Sequence, residues 1–284
     1  MPKVSVVIPT CNRPELLRKA LFSVLNQTYQ DFEIIVVDDG MEERADKVIK
    51  DVNDDRIKYI QHEKSRGGGA ARNTGIKAAG GEYIAFLDDD DEWTDKKLEM
   101  QVEKLEKSGN EVGFCFTAVT NDTGDQIFNT KVPEEIEDYY ERTLAYFKGF
   151  LTVTLLFKKE VFDNAGLFDE SLPSHQEAEL MIRVAKKYKG IGINKPLVLV
   201  NFDPNHKSVG RSLEKRIKGM EILLKKHHEE YRDRPKILAR HLFNLANFYL
   251  KNKNKKNARL NLKRALKLNS NWRYMVHYIK TFLV

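Results

Sequence analysis

Short, continuous apolar runs alternate with amphipathic segments through the first hundred residues. Lys3–Pro9 (KVSVVIP), Glu33–Val37 (EIIVV), Arg56–Ile60 (RIKYI) and Tyr83–Leu87 (YIAFL) are rich in β-branched and apolar residues. Runs of this kind predict strands buried on both faces of a mostly parallel sheet. Between the first two runs, Pro14–Gln27 places Leu17, Leu21, Val24 and Leu25 at helical spacing, with Pro14 suited to a first turn. Ala45–Asp51, Ala70–Ala79 and Asp95–Lys107 predict three more helices. Alternating strand and helix imply an α/β fold, in which ligands gather beyond the carboxyl ends of the strands. The segments "PTCNR", "DDG" and "DDDD" each follow a predicted strand, so all three are expected at one sheet edge.

Beyond Ser108 the pattern loosens. Val112–Val119, Leu151–Phe157 and Leu197–Phe202 predict strands, Gly166–Asp169 a turn and Gln176–Lys187 a helix. From Ser212 onward the chain reads as helix alone. Leu242, Leu245, Ala246, Tyr249, Ala258, Leu262 and Ala265 have the large-and-small spacing of two antiparallel helices, with Asn252–Asn257 as the turn. This resembles a single tetratricopeptide unit, followed by another helix from Trp272. A lone unit cannot bury its own face. The segment is therefore expected to cap the body, with partner binding as the alternative. The chain divides into a body of residues 1–210 and a basic helical extension of residues 211–284.

Charge sharpens that division. The net charge of +6 conceals 21 Lys+Arg against 5 Asp+Glu from His206 onward, and 27 against 37 before it. A basic tail on an acidic body suits an anionic partner such as a membrane surface, a polyanionic glycan or nucleic acid, although a solvated lysine-rich helix surface has the same composition. No apolar run reaches the length of a membrane span, and "MPKVSVVIPT" contains no signal-peptide core. Cys11 and Cys115 form neither a disulfide framework nor a metal-ligand pattern. These features lead to the expectation of a cytoplasmic protein, peripheral at the inner face of a membrane.

The four consecutive aspartates Asp88–Asp91 repel one another unless they are solvated or face a cation. At a strand end, Asp88 and Asp90 suit a divalent metal and a ribose, since Mg²⁺ and Mn²⁺ take oxygen ligands. Asp91 and Glu92 read as caps of the next helix. Asp38 and Asp39 offer carboxylates to a base or ribose, or else cap a turn. In "RGGGAARNTG", Arg66 and Arg72 suit phosphate or base, the glycines allow a mobile cover, and Asn73 suits loop ordering through backbone hydrogen bonds. The segment fits neither a Walker loop nor a dinucleotide fingerprint. A nucleotidyltransferase would carry a glycine-rich, lysine-bearing loop after the first strand, where this chain has "PTCNRPELL".

Taken together, "VSVVIPTCNR", "SVLNQTYQDFEIIVVDDG", "ARNTGIKAAGGEYIAFLDDDD" and "GLFDESLPSHQEAELMIRV" resemble the inverting family 2 glycosyltransferases of GT-A fold, over roughly residues 1–210. The resemblance implies a Rossmann-like α/β sheet flanked by helices. It implies a nucleoside-diphosphate sugar donor, most often a UDP-sugar, and Mn²⁺ or Mg²⁺ as cofactor. The acceptor would be a glycan or lipid-linked hydroxyl, with no nucleic acid partner. By the same resemblance, Pro9, Thr10, Asn12, Asp38, Asp39, Arg66, Arg72, Asp88 and Asp89 line the nucleotide, and Asp90 ligates the metal. His206, Lys207 and Arg211 would close over the diphosphate. The family's base is the second residue of a Glu-Asp pair; here the pair is Gln176-Glu177, so Glu177 is the expected base, with His175 and Glu179 as substitutes. Cys11 stands where many relatives have an aromatic residue. A nucleotide-sugar-binding protein without turnover, using its tail as a partner module, is the alternative.

Overall fold

The structure is a computed structural model that describes residues 1–122, 126–147, 149–201 and 212–282. In chain order its elements are β1 (Val4–Thr10), α1 (Pro14–Leu25), β2 (Phe32–Asp38), α2 (Asp46–Val52), β3 (Ile57–Gln61), α3 (Gly68–Ala78), β4 (Tyr83–Phe86), β5 (Glu92–Trp93), α4 (Lys97–Glu106), β6 (Val112–Asp122), β7 (Ile127–Asn129), β8 (Ile136–Glu137), α5 (Tyr140–Ala145), β9 (Leu156–Lys158), α6 (Glu160–Ala165), α7 (Gln176–Ala185) and β10 (Lys189–Asn201). Five helices follow: α8 (Leu213–Lys226), α9 (His228–Arg232), α10 (Pro235–Lys251), α11 (Lys255–Leu268) and α12 (Trp272–Lys280).

One sheet runs in the order β3-β2-β1-β4-β9-β6-β10-β5, with β7 on β6 and β8 on β10. The α/β architecture is the expected one. Its parallel pairs are β3/β2, β2/β1, β1/β4 and β6/β10, while β9 pairs antiparallel with both β4 and β6. The expected strand at Leu151–Phe157 divides into a 3₁₀ turn at Thr152–Thr154 and the short β9. By contrast, β10 begins eight residues earlier than the strand expected from Leu197. Gly190 and Gly192 obscure it in sequence, yet a Cβ at either position would collide with the Phe114 ring or the Pro133 carbonyl. Glycine there permits the close approach of two chain segments.

Alternation along the first strands fills both faces. Val4, Val6 and Ile8 join Leu17, Leu21 and Leu98 on one side, while Val7, Ile35 and Val37 join Ile76, Phe86 and Leu180 on the other. Helix α3 presses so closely on β1 that a Cβ on Gly75 would overlap the Val7 side chain. The parallel register sets Thr10 beside Asp38, and the Leu87 amide donates to the Val7 carbonyl. The loops after β1, β2 and β4 therefore leave the sheet together.

The core also contains a buried amine. Lys97 is fully buried, donates to Gln101 Oε1 at 2.6 Å and lies 3.9 Å from the centre of the Trp93 ring. Burial pushes its pKa down to about 7. A folded-state value below the unfolded one means that the unfolded chain binds more protons between pH 7 and 10.5, so stability rises with pH across that window. In Lys97→Met this rise should disappear. Urea denaturation at pH 7 and pH 10 checks the difference in slope. The unpaired Gln101 oxygen, costing ~1–3 kcal/mol at both pH values, leaves that slope untouched.

In the C-terminal helices, all seven residues of the expected two-helix pattern are buried. The turn between α10 and α11 spans only 252–254, shorter than the Asn252–Asn257 expected from sequence. Leu245, Ala246, Tyr249, Ala258 and Leu262 pack with Ile217 and Met220 of α8. Leu223 and Tyr231 pack in turn with Leu144 of α5 and with Ala178 and Ile182 of α7. These helices form a cap on the body. The expected boundary between residues 210 and 211 lies outside the described residues.

Candidate active site

The carboxyl-end loops meet as the sequence implies, but they divide the work differently. Asp38 is fully buried. Its Oδ1 accepts from Gly40 N at 2.8 Å, and its Oδ2 accepts from Ala45 N at 2.9 Å and Tyr59 Oη at 2.7 Å. It shapes its own loop and presents no free oxygen to the edge. Asp39 accepts from His62 Nδ1 (2.7 Å), Ser65 Oγ (2.8 Å), Arg66 N (2.7 Å) and Gly67 N (2.8 Å). Although burial opposes its charge, these donors, led by His62, hold its carboxyl below the usual range. Four donors fill the four acceptor sites of a carboxylate, so Asp39 fastens the glycine-rich loop to the end of β2. His62 is in turn held at Nε2 by Thr74 Oγ1, 2.9 Å away. Asn12, at φ 54°, accepts from Glu42 N and Glu43 N at 3.0 and 3.2 Å and orders the loop after Asp39. Cys11 is exposed beside this edge.

The aspartate run alternates between interior and edge. Asp89 is buried, accepts from Thr10 Oγ1 at 2.7 Å and pairs with Arg13 at 2.5 Å. Burial, with Asp90 and Asp88 adding to it, outweighs Arg13 and Thr10 and pushes its carboxyl up to about 7. Like Asp38, it lies behind the edge and supports the loop after β1. Oxygens of Asp88, Asp90 and Asp91 lie within 4.8 Å of one another. Asp91 does not cap α4 as expected. The N-cap of that helix is Lys96, without a side-chain cap bond, and Glu92 lies in β5. Asp91 instead turns inward and accepts from Asn201 N at 3.2 Å. Burial, then Asp88 and Asp90, push it up to about 8. Crowded carboxylates with an all-oxygen donor set fit a hard dication such as Mg²⁺ or Mn²⁺.

Two arginines flank this cluster. Arg13 lies 3.2 Å from Asp90 as well as pairing with Asp89. Its position directly before Pro14 was its only sequence signal. Arg72 is buried and pairs with Asp88 at 2.6 Å. Burial opposes its charge, but Asp88, Glu177 and Asp89 hold it charged. Glu177, at the start of α7, thus lies within electrostatic reach of Arg72. Gln176 approaches Gly69 so closely that a Cβ there would lie 2.8 Å from its Nε2, and Gln176 donates to Leu172 O at 2.7 Å. Glu177 is half-buried and has no hydrogen bond or ion pair among the described residues. Asn73 clamps the segment before α7, donating to Phe168 O and accepting from Phe168 N, both at 2.9 Å. Arg66 reaches Glu170 at 3.1 Å.

The substitute bases occupy other places. His175 is the left-handed N-cap residue of α7, with Ser174 Oγ 2.8 Å from its Nδ1. Glu179 is fully buried. Its oxygens accept from Arg183 (2.9 and 2.7 Å), Lys226 (2.9 Å) and His227 (3.1 Å). It anchors the C-terminal cap. Pro9 is buried at the end of β1. His206, Lys207 and Arg211 lie outside the described residues.

Comparison with known proteins bears on the family and the fold. The family model described as glycosyl transferase family 2 matches residues 5–172. A protein of Rickettsia felis named a glycosyltransferase is 35% identical over 73% of this chain and 36% of its own length. The chain spans 36%, 35% and 15% of the length of three rickettsial relatives, from R. felis, R. conorii and R. bellii. A Campylobacter jejuni protein is 34% identical over 66% of this chain and 61% of its own length. It is named a GalNAc(5)-diNAcBac-PP-undecaprenol beta-1,3-glucosyltransferase. Among solved structures, residues 1–349 of S. aureus TarS in complex with UDP-GlcNAc superpose with a TM-score of 0.64. The superposition covers 98% of this chain and 79% of that one at 17% identity, a likeness of fold.

Proposed function

The chain belongs to glycosyl transferase family 2, and from that membership we propose that it moves a sugar from a nucleoside-diphosphate donor to an acceptor hydroxyl, inverting the anomeric carbon. The observation that carries this reading is the meeting of Asp88, Asp90 and Asp91 with Arg72 at one sheet edge, with Glu177 within electrostatic reach of Arg72. Acidic ligands, a buried guanidinium and a carboxylate with no ion pair among the described residues are groups that suit such a displacement.

The donor's nucleotide lies along the loops after β1 and β2, against Pro9, Thr10 and Asn12, with Arg66 and Arg72 toward its polar groups. Asp38, Asp39 and Asp89 act from behind by fixing those loops. Asp90, with Asp88 and Asp91, would hold a divalent cation, which would supply positive charge to offset that on the leaving diphosphate. Glu177 accepts the acceptor's proton as the acceptor oxygen attacks opposite the diphosphate. The glycosidic C–O bond to the diphosphate breaks as the new C–O bond forms, so no covalent enzyme intermediate is required. The GT-A neighbour bound to UDP-GlcNAc supports a UDP-sugar. The name of the Campylobacter relative supports a lipid-diphosphate-linked glycan as acceptor.

Thermal shift with UDP and Mn²⁺ tests the site. At a hundredfold excess over Kd, a native-state ligand adds about 2.7 kcal/mol. The parent should gain stability with both ligands together, and Asp91→Asn should lose the Mn²⁺-dependent part. An Asp91→Asn variant that responds to Mn²⁺ like the parent returns Asp91 to a structural role.

A further inference from the structure

The last three helices carry a charge pattern that the transfer chemistry leaves unused. No Asp or Glu follows Asp233, while residues 235–282 hold 12 Lys+Arg. Helix α12 lies against the cap through Tyr274, with Thr281 buried just beyond its end. Arg259 holds that end, donating to Thr281 O at 2.6 Å and stacking 4.1 Å from the centre of the Phe282 ring. The opposite side of α12 is apolar and exposed. Trp272 is 71% exposed, and Met275, Val276 and Ile279 are exposed with it, followed by Phe282. At 3.6 residues per turn, positions 272, 275, 276 and 279 form one stripe, and Arg273 and Lys280 lie along its border. On α11, exposed Leu260 and Leu268 continue the apolar surface among exposed Lys263, Arg264 and Lys267.

A surface helix ordinarily turns its apolar stripe to the core. Here the stripe faces out, the charged residues near it are all basic, and a tryptophan stands at its start. We propose that α12 and the adjoining face of α11 dock on an anionic lipid bilayer. Trp272, Met275 and Ile279 lie at the headgroup–acyl boundary, and Lys267, Arg273 and Lys280 meet lipid phosphates. Charge complementarity selects this occupant. A second copy of the same face would set cations against cations with no acid between them, whereas an anionic bilayer neutralises the cations and accepts the apolar stripe together. The surface stands on the cap's own chemistry and does not depend on the transferase reading.

The chain has two tryptophans, and Trp93 is 5% exposed, so a change in fluorescence on lipid addition reports Trp272. The full chain is mixed with vesicles of phosphatidylcholine alone, or with added phosphatidylglycerol, at low and high salt. A blue shift with anionic vesicles only, reversed by salt, is expected. Ile279→Asp, at an exposed position, should abolish it. Replacing Lys263, Arg264 and Lys267 by alanine should weaken partitioning by about a hundredfold, at ~1 kcal/mol per cation. No shift at low salt, or equal binding to neutral and anionic vesicles, overturns the proposal. So does a shift that grows with protein concentration without lipid, which would identify the face as a contact between copies. UDP binding measured on the same samples separates loss of this surface from loss of the nucleotide site.

Discussion

Glu177→Gln should abolish sugar transfer while leaving donor binding intact. The amide keeps the size and hydrogen-bonding reach of the side chain but cannot take a proton at neutral pH. General-base catalysis contributes ~10²–10⁴-fold, so kcat should fall within that range. The donor's Kd by calorimetry should stay within a few-fold, because the loops proposed to hold the nucleotide follow β1 and β2 and do not include α7. Glu179 cannot replace Glu177, since Arg183, Lys226 and His227 occupy its oxygens in the interior. Transfer within a few-fold of the parent would remove Glu177 as the base and direct attention to His175, one turn-forming residue before the helix.

The second large effect is on stability. Glu179→Gln should loosen the cap from the body, because Arg183 and His227 would lose the charge that holds them. Removing one partner of a buried pair costs ~3–5 kcal/mol. Lys226 is more than a third exposed and adds little through water, so a loss of ~2–4 kcal/mol is expected. The pH dependence follows from direction. Burial opposes the Glu179 charge, yet His227, Arg183 and Lys226 hold the carboxyl down at about 2, below its ordinary 4.5. A carboxyl lowered in the folded state stabilises fully above its unfolded value and loses that contribution as pH falls through the folded one. The parent should therefore lose stability between pH 4.5 and 2 more steeply than Glu179→Gln. Denaturant titrations across that range, with limited proteolysis to follow release of the cap, check both results. A variant as stable as the parent would show that apolar packing of Leu223 and Tyr231, with pairs such as Lys186–Glu230 and Arg234–Glu141, holds the cap without the Glu179 charge.

Legibility in the sequence followed locality. β1, β2 and β4 announce themselves because burial on both faces demands uninterrupted apolar runs, and their following loops then converge by topology. The two-helix spacing in the cap survives for the same reason, since each of its positions must meet the facing helix. The roles within the aspartate run were less legible, because four identical side chains differ only in which way the backbone turns them. Asp89 lies beneath Thr10 and Arg13, while Asp91 joins Asp88 and Asp90. Arg13 was missed altogether, since an arginine before a proline has no periodic signature. Asp38 and Asp39 read alike as candidates, yet each spends its oxygens on backbone and side-chain donors brought by β3 and by the loop at residues 65–67.

What the sequence by itself determined was the alternation of strand and helix, the edge where the acidic loops gather, and the helical, basic character of the C-terminus. Those properties depend on residue type and spacing, which neighbouring residues fix. Only the tertiary structure decided that Glu179 ties the cap to the body while Glu177, on the same helix, has no ion pair among the described residues and lies within electrostatic reach of Arg72. The physical reason is rotation. Two positions along a helix turn a side chain by about 200°, so one carboxylate is carried into the interior and the other to the sheet edge. Which of them meets cations depends on what the rest of the chain packs against each side.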